Sequence, residues 1–141
     1  MRKRSIAREC ALQILYQYEM NPSALEQVLK DYWVQNPEFE EEVRIFAGRL
    51  VLGTTEHLKE IDGIIQRAAD NWDLERMAVV DRNIMRFSVY ELLFCDDIPP
   101  KVTINEAVNI AKKFSQEESG KFVNGVLDKI NHSEKPRTAS S

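Results

Sequence analysis

Two stretches of this 141-residue chain set a phenylalanine beside lysine: Lys112-Lys113-Phe114 and Lys121-Phe122. A ring that stacks on a nucleobase, next to an ammonium that neutralises a phosphate, is the pairing that single-stranded RNA asks for. The first stretch closes one predicted helix and the second opens the next. The turn from Ser115 to Gly120 would bring both rings to one groove. Amides at the start of the last helix would add partial positive charge beneath a phosphate. Both phenylalanines also fit apolar stripes, and core phenylalanine is far commoner than stacking phenylalanine. Burial therefore competes with stacking for each ring.

A second source of positive charge lies at the other end of the chain. Arg2, Lys3 and Arg4 precede or enter the first predicted helix, with Arg8 one turn beyond Arg4 and no acid before Glu9. Phosphate contacts from such a run supply affinity and little sequence choice. A merely solubilising basic terminus has the same composition. The net charge of -4 argues against unspecific polyanion binding over the whole surface, so the distribution of charge matters more than its sum. Acids dominate between Glu38 and Asp62. Arg86 interrupts an apolar helix, and must be paired with an acid or turned toward a ligand. Tyr16 lies off the main stripe of the first helix, where it either stacks a base or sets its hydroxyl at the surface.

Groups for catalysis are missing. The five glycines are scattered and none follows a strand, so there is no phosphate-cradling loop. Gly-x-Ser-x-Gly and HExxH are absent. Asp96-Asp97 sits in a proline-terminated loop where acidic turn residues are expected. His57 has acids near it in sequence but no nucleophile to activate. Cys10 and Cys95 fall in apolar helical patterns as small hydrophobes, and two cysteines with His57 and His132 make no credible zinc cluster. No catalytic residue, metal or cofactor is predicted, and the chain reads as a binding module.

The elements that must position these residues read at helical period almost throughout. Hydrophobic content of 43% and mixed charge indicate a folded globular chain. Ile6, Ala7, Cys10, Ala11, Ile14, Leu15 and Tyr18 form one stripe, which Asn21-Pro22 ends. Capping boxes are predicted at Ser23–Glu26, Thr103–Glu106 and Ser115–Glu118. Asn36-Pro37 reads as a cap with proline at the first helical position, and Gly53 as a left-handed stop. Trp72-Asp73 opens a short helix through Met77. The helix carrying Val80, Ile84, Phe87 and Leu92 is apolar on more than one side and should be central. Asp96 to Pro100 breaks the chain. Gly125, inside the last helix, suggests close approach of another backbone, and Pro136 to Ser141 a frayed tail. Strand alternation and repeats are not found. The expectation is an all-α fold of about seven helices, one domain over residues 1–134 and a flexible tail over 135–141. No apolar run approaches the ~20 residues that span a bilayer. A cytoplasmic protein is expected, with no membrane partner.

The strings INEAVNIAKKF (104–114) and KFVNGVLDKI (121–130), read with Asp81-Arg-Asn-Ile-Met-Arg-Phe-Ser-Val-Tyr-Glu-Leu92 and Ile6-Ala-Arg-Glu-Cys-Ala-Leu-Gln-Ile-Leu-Tyr16, closely resemble the NusB family of bacterial transcription antitermination factors. The similarity runs from about Arg4 to Ile130. It implies two small helical bundles packed at an angle and sharing the first helix. It implies binding of boxA single-stranded RNA in ribosomal RNA leaders, jointly with the ribosomal protein NusE, within a complex of other Nus factors and RNA polymerase. Carried over by position, the RNA face would be Arg2, Lys3, Arg4, Ser5, Arg8, Tyr16, Arg86, Lys112, Lys113, Phe114, Lys121 and Phe122. The NusE face would use Glu75, Arg76 and the exposed side of the next helix, with Asp81, Arg82 and Tyr90. Glu117 and Glu118 stand beside the proposed groove and would repel phosphate, which fits a chain that binds RNA well only with its partner.

Two other functions fit the same residues. One is a protein-only helical adaptor or homodimer whose phenylalanines are all core. The other is the RNA-binding front of an RNA cytosine methyltransferase, which would need a cofactor domain downstream.

Overall fold

The computed structural model describes residues 2–70 and 72–137, and of residue 2 the backbone alone. Among these residues there are seven α-helices, one 3-10 turn and no strand: α1 (Arg2–Met20), α2 (Leu25–Gln35), α3 (Glu41–Glu56), α4 (Leu58–Ala68), the 3-10 turn (Leu74–Arg76), α5 (Val79–Phe94), α6 (Pro100–Phe114) and α7 (Glu117–Ser133). The all-α expectation holds.

The 3.6-residue pattern decides which face of each helix turns inward. In α1, Ala7, Cys10, Ala11, Ile14 and Leu15 are buried, and the helix stops before Asn21-Pro22. The α5 helix is the hub. It buries Ile84, Met85, Phe87, Val89, Leu92 and Leu93 on several sides and packs against α1, α3, α4, α6 and α7. The first group of helices is α1, α2 and α3. The second gathers α4, α6 and α7 around α5, and α1 joins the two by packing on both. The short turn after Phe114 makes α6 and α7 a hairpin.

Several local expectations are corrected by tertiary contacts. None of the three capping boxes forms. The N-caps of α2, α6 and α7 are Ala24, Pro99 and Gln116, without side-chain capping bonds. The α6 helix already starts at Pro100, so Thr103 lies inside it and its hydroxyl donates to the buried Glu91 instead. Asn36 ends α2, where its side-chain amide donates to the Tyr32 carbonyl, and α3 begins only at Glu41. Gly53 does not stop α3, which continues to Glu56. Its bare Cα admits the Tyr90 ring, whose atoms would lie 2.0–2.5 Å from a Cβ at this position. Gly125 faces open space, with nothing within 4 Å of an added Cβ, so no backbone approaches it. At the end of the chain, Arg137 is not frayed. Its backbone amide donates to the Leu93 carbonyl and its guanidinium to Glu60 and Glu134. The rest of the predicted tail, 138–141, lies outside the described residues.

Gly53→Ala should therefore destabilise the fold by about 1–3 kcal/mol through overpacking against Tyr90. Gly125→Ala should stabilise it by about 1 kcal/mol, the helix-propensity difference at an exposed site. Urea unfolding followed by circular dichroism measures both, and the two signs must be opposite.

Candidate nucleic-acid interface

Side chains of α1 and α6 meet in polar contacts over the first half of α1. The Ser5 hydroxyl donates to Glu106 at 2.6 Å, and the Lys113 ammonium meets Glu9 at 3.0 Å. Further along, Tyr16 and Phe114 line one open groove of about 410 Å3 with Leu12, Gln13, Gln17 and Val80. On α1 these contacts fall at Ser5, Glu9, Leu12 and Tyr16, one helical face. Tyr16 and Phe114 are 43% and 37% exposed, so both rings are open to a ligand. The Lys113 ammonium sits 5.3 Å from the centre of the Phe114 ring. Lys112 and Lys113 also occupy the last turn of α6, where cations suit the helix dipole whatever else they do.

The floor of this seam is a buried ion pair. Arg8 is 2% exposed and Glu91 fully buried. Arg8 Nε and Nη2 donate to the two Glu91 oxygens at 2.7 and 2.9 Å, and Nη1 to Glu106 at 3.1 Å. Burial alone would lower the Arg8 pKa; the hydrogen bonds and charges of Glu91 and Glu106 outweigh it and raise the value above the ordinary one. Arg8 was predicted to neutralise phosphate at the surface. It points inward because it lies between Ala7 and Cys10 on the buried stripe of α1, opposite an acid on α5.

Around the start of α1, Lys3 pairs with Glu40 and Glu42 at 3.3 and 3.1 Å, and Arg4 lies 3.6 Å from Asp97. Arg4 also covers the Phe46 ring at 4.4 Å, with Arg8 and Arg49 at its margins. The Arg49 guanidinium grips Asp97 with two bonds; that bond first, against some desolvation, holds the Asp97 carboxyl at about 2. Any contact of the Arg2 side chain lies outside the described residues.

The second phenylalanine goes elsewhere. Phe122 lines a separate hollow with Trp72, Arg76, Met77, Ala78, Asp81, Glu118 and Ser119. It meets Trp72 edge to face, with ring centres 5.6 Å apart. The predicted single groove for Phe114 and Phe122 is thus two neighbouring hollows, with Val80 in one and Ala78 in the other. The reason is the start of α7. Ser119 binds Ser115 and Asp81 through its hydroxyl, which seats α7 on the first turn of α5 and rolls Phe122 toward Trp72. Lys121 is exposed and makes no ion pair among the described residues. Lys112 reaches Glu117 at 3.8 Å, and its stem lies on Gly120, where a Cβ would come within 3.0 Å.

Arg86 does not join the α1/α6 seam. It is mostly buried, with two bonds to Asp62 at 2.8 and 2.9 Å and one to Glu19 at 2.9 Å. Arg82 also binds Glu19. Burial pushes the Glu19 carboxyl up, but the Arg82 bond, the Asn83 amide and the two cations bring it below its usual value. Of the predicted partner face, Glu75 and Arg76 are exposed, whereas Asp81 and Arg82 are buried. Tyr90 is half-buried, stacked on Phe94. The helix side expected to be open is closed by α1 and α7. Sequence reasoning missed Glu91, Glu106 and Glu9 as partners of the cations, and the exposed Trp72. An acid between Tyr90 and Leu92 in an apolar helix was the available sign of a buried ion pair.

Comparison with known proteins places this geometry in context. The model of the NusB family matches residues 5–132. The transcription antitermination protein NusB of Thermodesulfovibrio yellowstonii is 48% identical over 137 residues, covering 91% of each chain. The T. maritima NusB structure superposes with a TM-score of 0.85 at 41% identity, over 95% of this chain and 94% of that one. A structure of antitermination factors NusB and NusE in complex with dsRNA matches with a TM-score of 0.86 at 30% identity, over 95% of this chain and 99% of that one.

Two outcomes follow from the ion pairs. Arg8→Met should cost about 3–5 kcal/mol in unfolding free energy, since it strands a buried carboxylate; a loss below 1 kcal/mol would contradict the pairing. The Asp97 pair should contribute fully above the unfolded value of 3.8 and fade as pH falls toward about 2, because the folded-state value is the depressed one. The stability gap between the parent chain and Asp97→Asn, read by denaturation at pH 5, 3 and 2, should shrink in that order.

Proposed function

Because this chain belongs to the NusB family of transcription antitermination factors, a family without enzymatic activity, we propose that it grips boxA-type RNA of ribosomal RNA leaders along the α1/α6 seam. It does so jointly with NusE, and so joins the antitermination complex of Nus factors on RNA polymerase. The observation that carries this reading is the groove that the exposed Tyr16 and Phe114 line together, with Lys113 over the Phe114 ring. Rings with free faces bind unpaired bases, since a base inside a duplex has no free face to offer. A solved relative bound to both NusE and dsRNA supports RNA and NusE as ligands.

Lys3, Arg4, Lys112, Lys113 and Lys121 supply the phosphate contacts. Arg8 and Arg86 hold the helices that carry these residues. The NusE face is the turn bearing Glu75 and Arg76, which lies beside the hollow of Phe122. Residues 1–134 act as one RNA-binding unit. The protein works in the cytoplasm, where the transcript is made; no helix among the described residues is long and apolar enough to cross a membrane.

One observation favours a protein-only adaptor instead. Lys3, Arg4, Lys112 and Lys113 already hold carboxylates, so RNA must displace intramolecular partners. Anisotropy titrations with boxA RNA and a scrambled RNA, with and without NusE, separate the readings. Docking of NusE with no RNA binding at all would leave the adaptor. On the RNA reading, Phe114→Ala should weaken boxA binding by about 1–3 kcal/mol. Lys121→Ala should weaken it and reduce the salt slope by about 1. An unchanged slope removes Lys121 from the interface.

A further inference from the structure

Asp81 is 8% exposed and stands at the first turn of α5 in the wall of the Trp72–Phe122 hollow. Its Oδ2 accepts from the Ser119 hydroxyl at 3.0 Å. Its Oδ1 is buried with no hydrogen-bond partner. A buried carboxylate oxygen left without a donor is costly and uncommon, and the residue that bears it lines a space large enough to hold something. The hollow measures about 200 Å3, below the ~300–1,000 Å3 that enclose drug-sized ligands and of the order of one flat ring. Its walls are aromatic. Trp72 is 55% exposed and rests on the edge of Phe122, so the indole face is available. Arg76 and Glu118, both exposed, stand on its rim, and Lys121 and Asp73, also exposed, neighbour Phe122 and Trp72 in sequence.

We infer that this hollow is a subsite for one unpaired nucleobase carrying an exocyclic amino group, which stacks on Trp72 and donates to Asp81. A small turn of the carboxylate about its Ser119 bond presents Oδ1 to that amino group. Where cytosine sets its amino group against the carboxylate, uracil sets a carbonyl oxygen and must shift to offer its ring N–H instead, so cytosine is preferred. Arg76 on the rim, where the hollow borders the NusE face, can meet a phosphate beside the base. The inference rests on the reading that this chain binds unpaired RNA, and adds a base preference that phosphate contacts cannot give.

The test compares end-labelled octamers of cytidine (C8) and uridine (U8), which carry equal charge, by anisotropy at one salt concentration. The parent chain should bind C8 about tenfold tighter than U8, the worth of one hydrogen bond to a charged group. Asp81→Leu should bring the ratio of C8 to U8 affinity close to one. Trp72→Ala, at an exposed site that does not threaten folding, should narrow the ratio as well; circular dichroism checks both variants. Equal affinities for C8 and U8 in the parent chain, or a preference that survives both substitutions, overturn the subsite and leave RNA binding standing. Loss of the preference when NusE is added gives the hollow to the partner and also overturns it. Failure of every RNA, boxA included, overturns this inference together with the proposed function.

Discussion

A guanidinium taken out of water must meet its counter-charges in the protein, and Arg8 meets them on two helices at once. Glu91 of α5 takes two of its donors and Glu106 of α6 a third, while Ser5 and Thr103 donate to oxygens that Arg8 already binds, Oε1 of Glu106 and Oε1 of Glu91. Such a network is costly to assemble and more costly to break. Its geometry therefore fixes how α1 lies against α5 and α6. The open groove of Tyr16 and Phe114 exists only because those helices are held in this register.

The same bookkeeping of charge recurs at the surface. Lys3, Arg4, Lys112 and Lys113 are each held by a carboxylate. Exposed pairs of this kind are worth little in stability, so a phosphate can replace the acid at small cost. A protein of net charge -4 can in this way keep its cations positioned yet release them to a polyanion. Lys121 needs no exchange, since it has no acid to leave among the described residues.

Much of this organisation was legible one helix at a time. The stripes of α1, α5 and α7 mark their buried faces, Asn21-Pro22 and the Asp96–Pro100 segment mark breaks, and the long strings around Phe114 and Phe122 mark the family. The local end signals were less faithful. Ser23, Thr103 and Ser115 each open a pattern suited to capping, but Thr103 and Glu106 were drawn into the ion network, and Ser115 into a bond with Ser119. Gly53 and Gly125 exchanged meanings. The glycine read as a stop is the one that another element approaches, and the one read as a close approach faces solvent.

What the sequence determined by itself was periodic: helical phase, and with it the residues available for stacking and for charge. What only the tertiary structure decided was pairing. Arg8 and Arg4 are one helical turn apart and look alike in sequence, yet one is sealed against Glu91 and the other lies over Phe46 near Asp97. Phe114 and Phe122 each follow a lysine, yet one faces α1 and the other Trp72. A side chain's neighbours in three dimensions come from helices distant in sequence, and helical phase says which face is inward without saying what waits there.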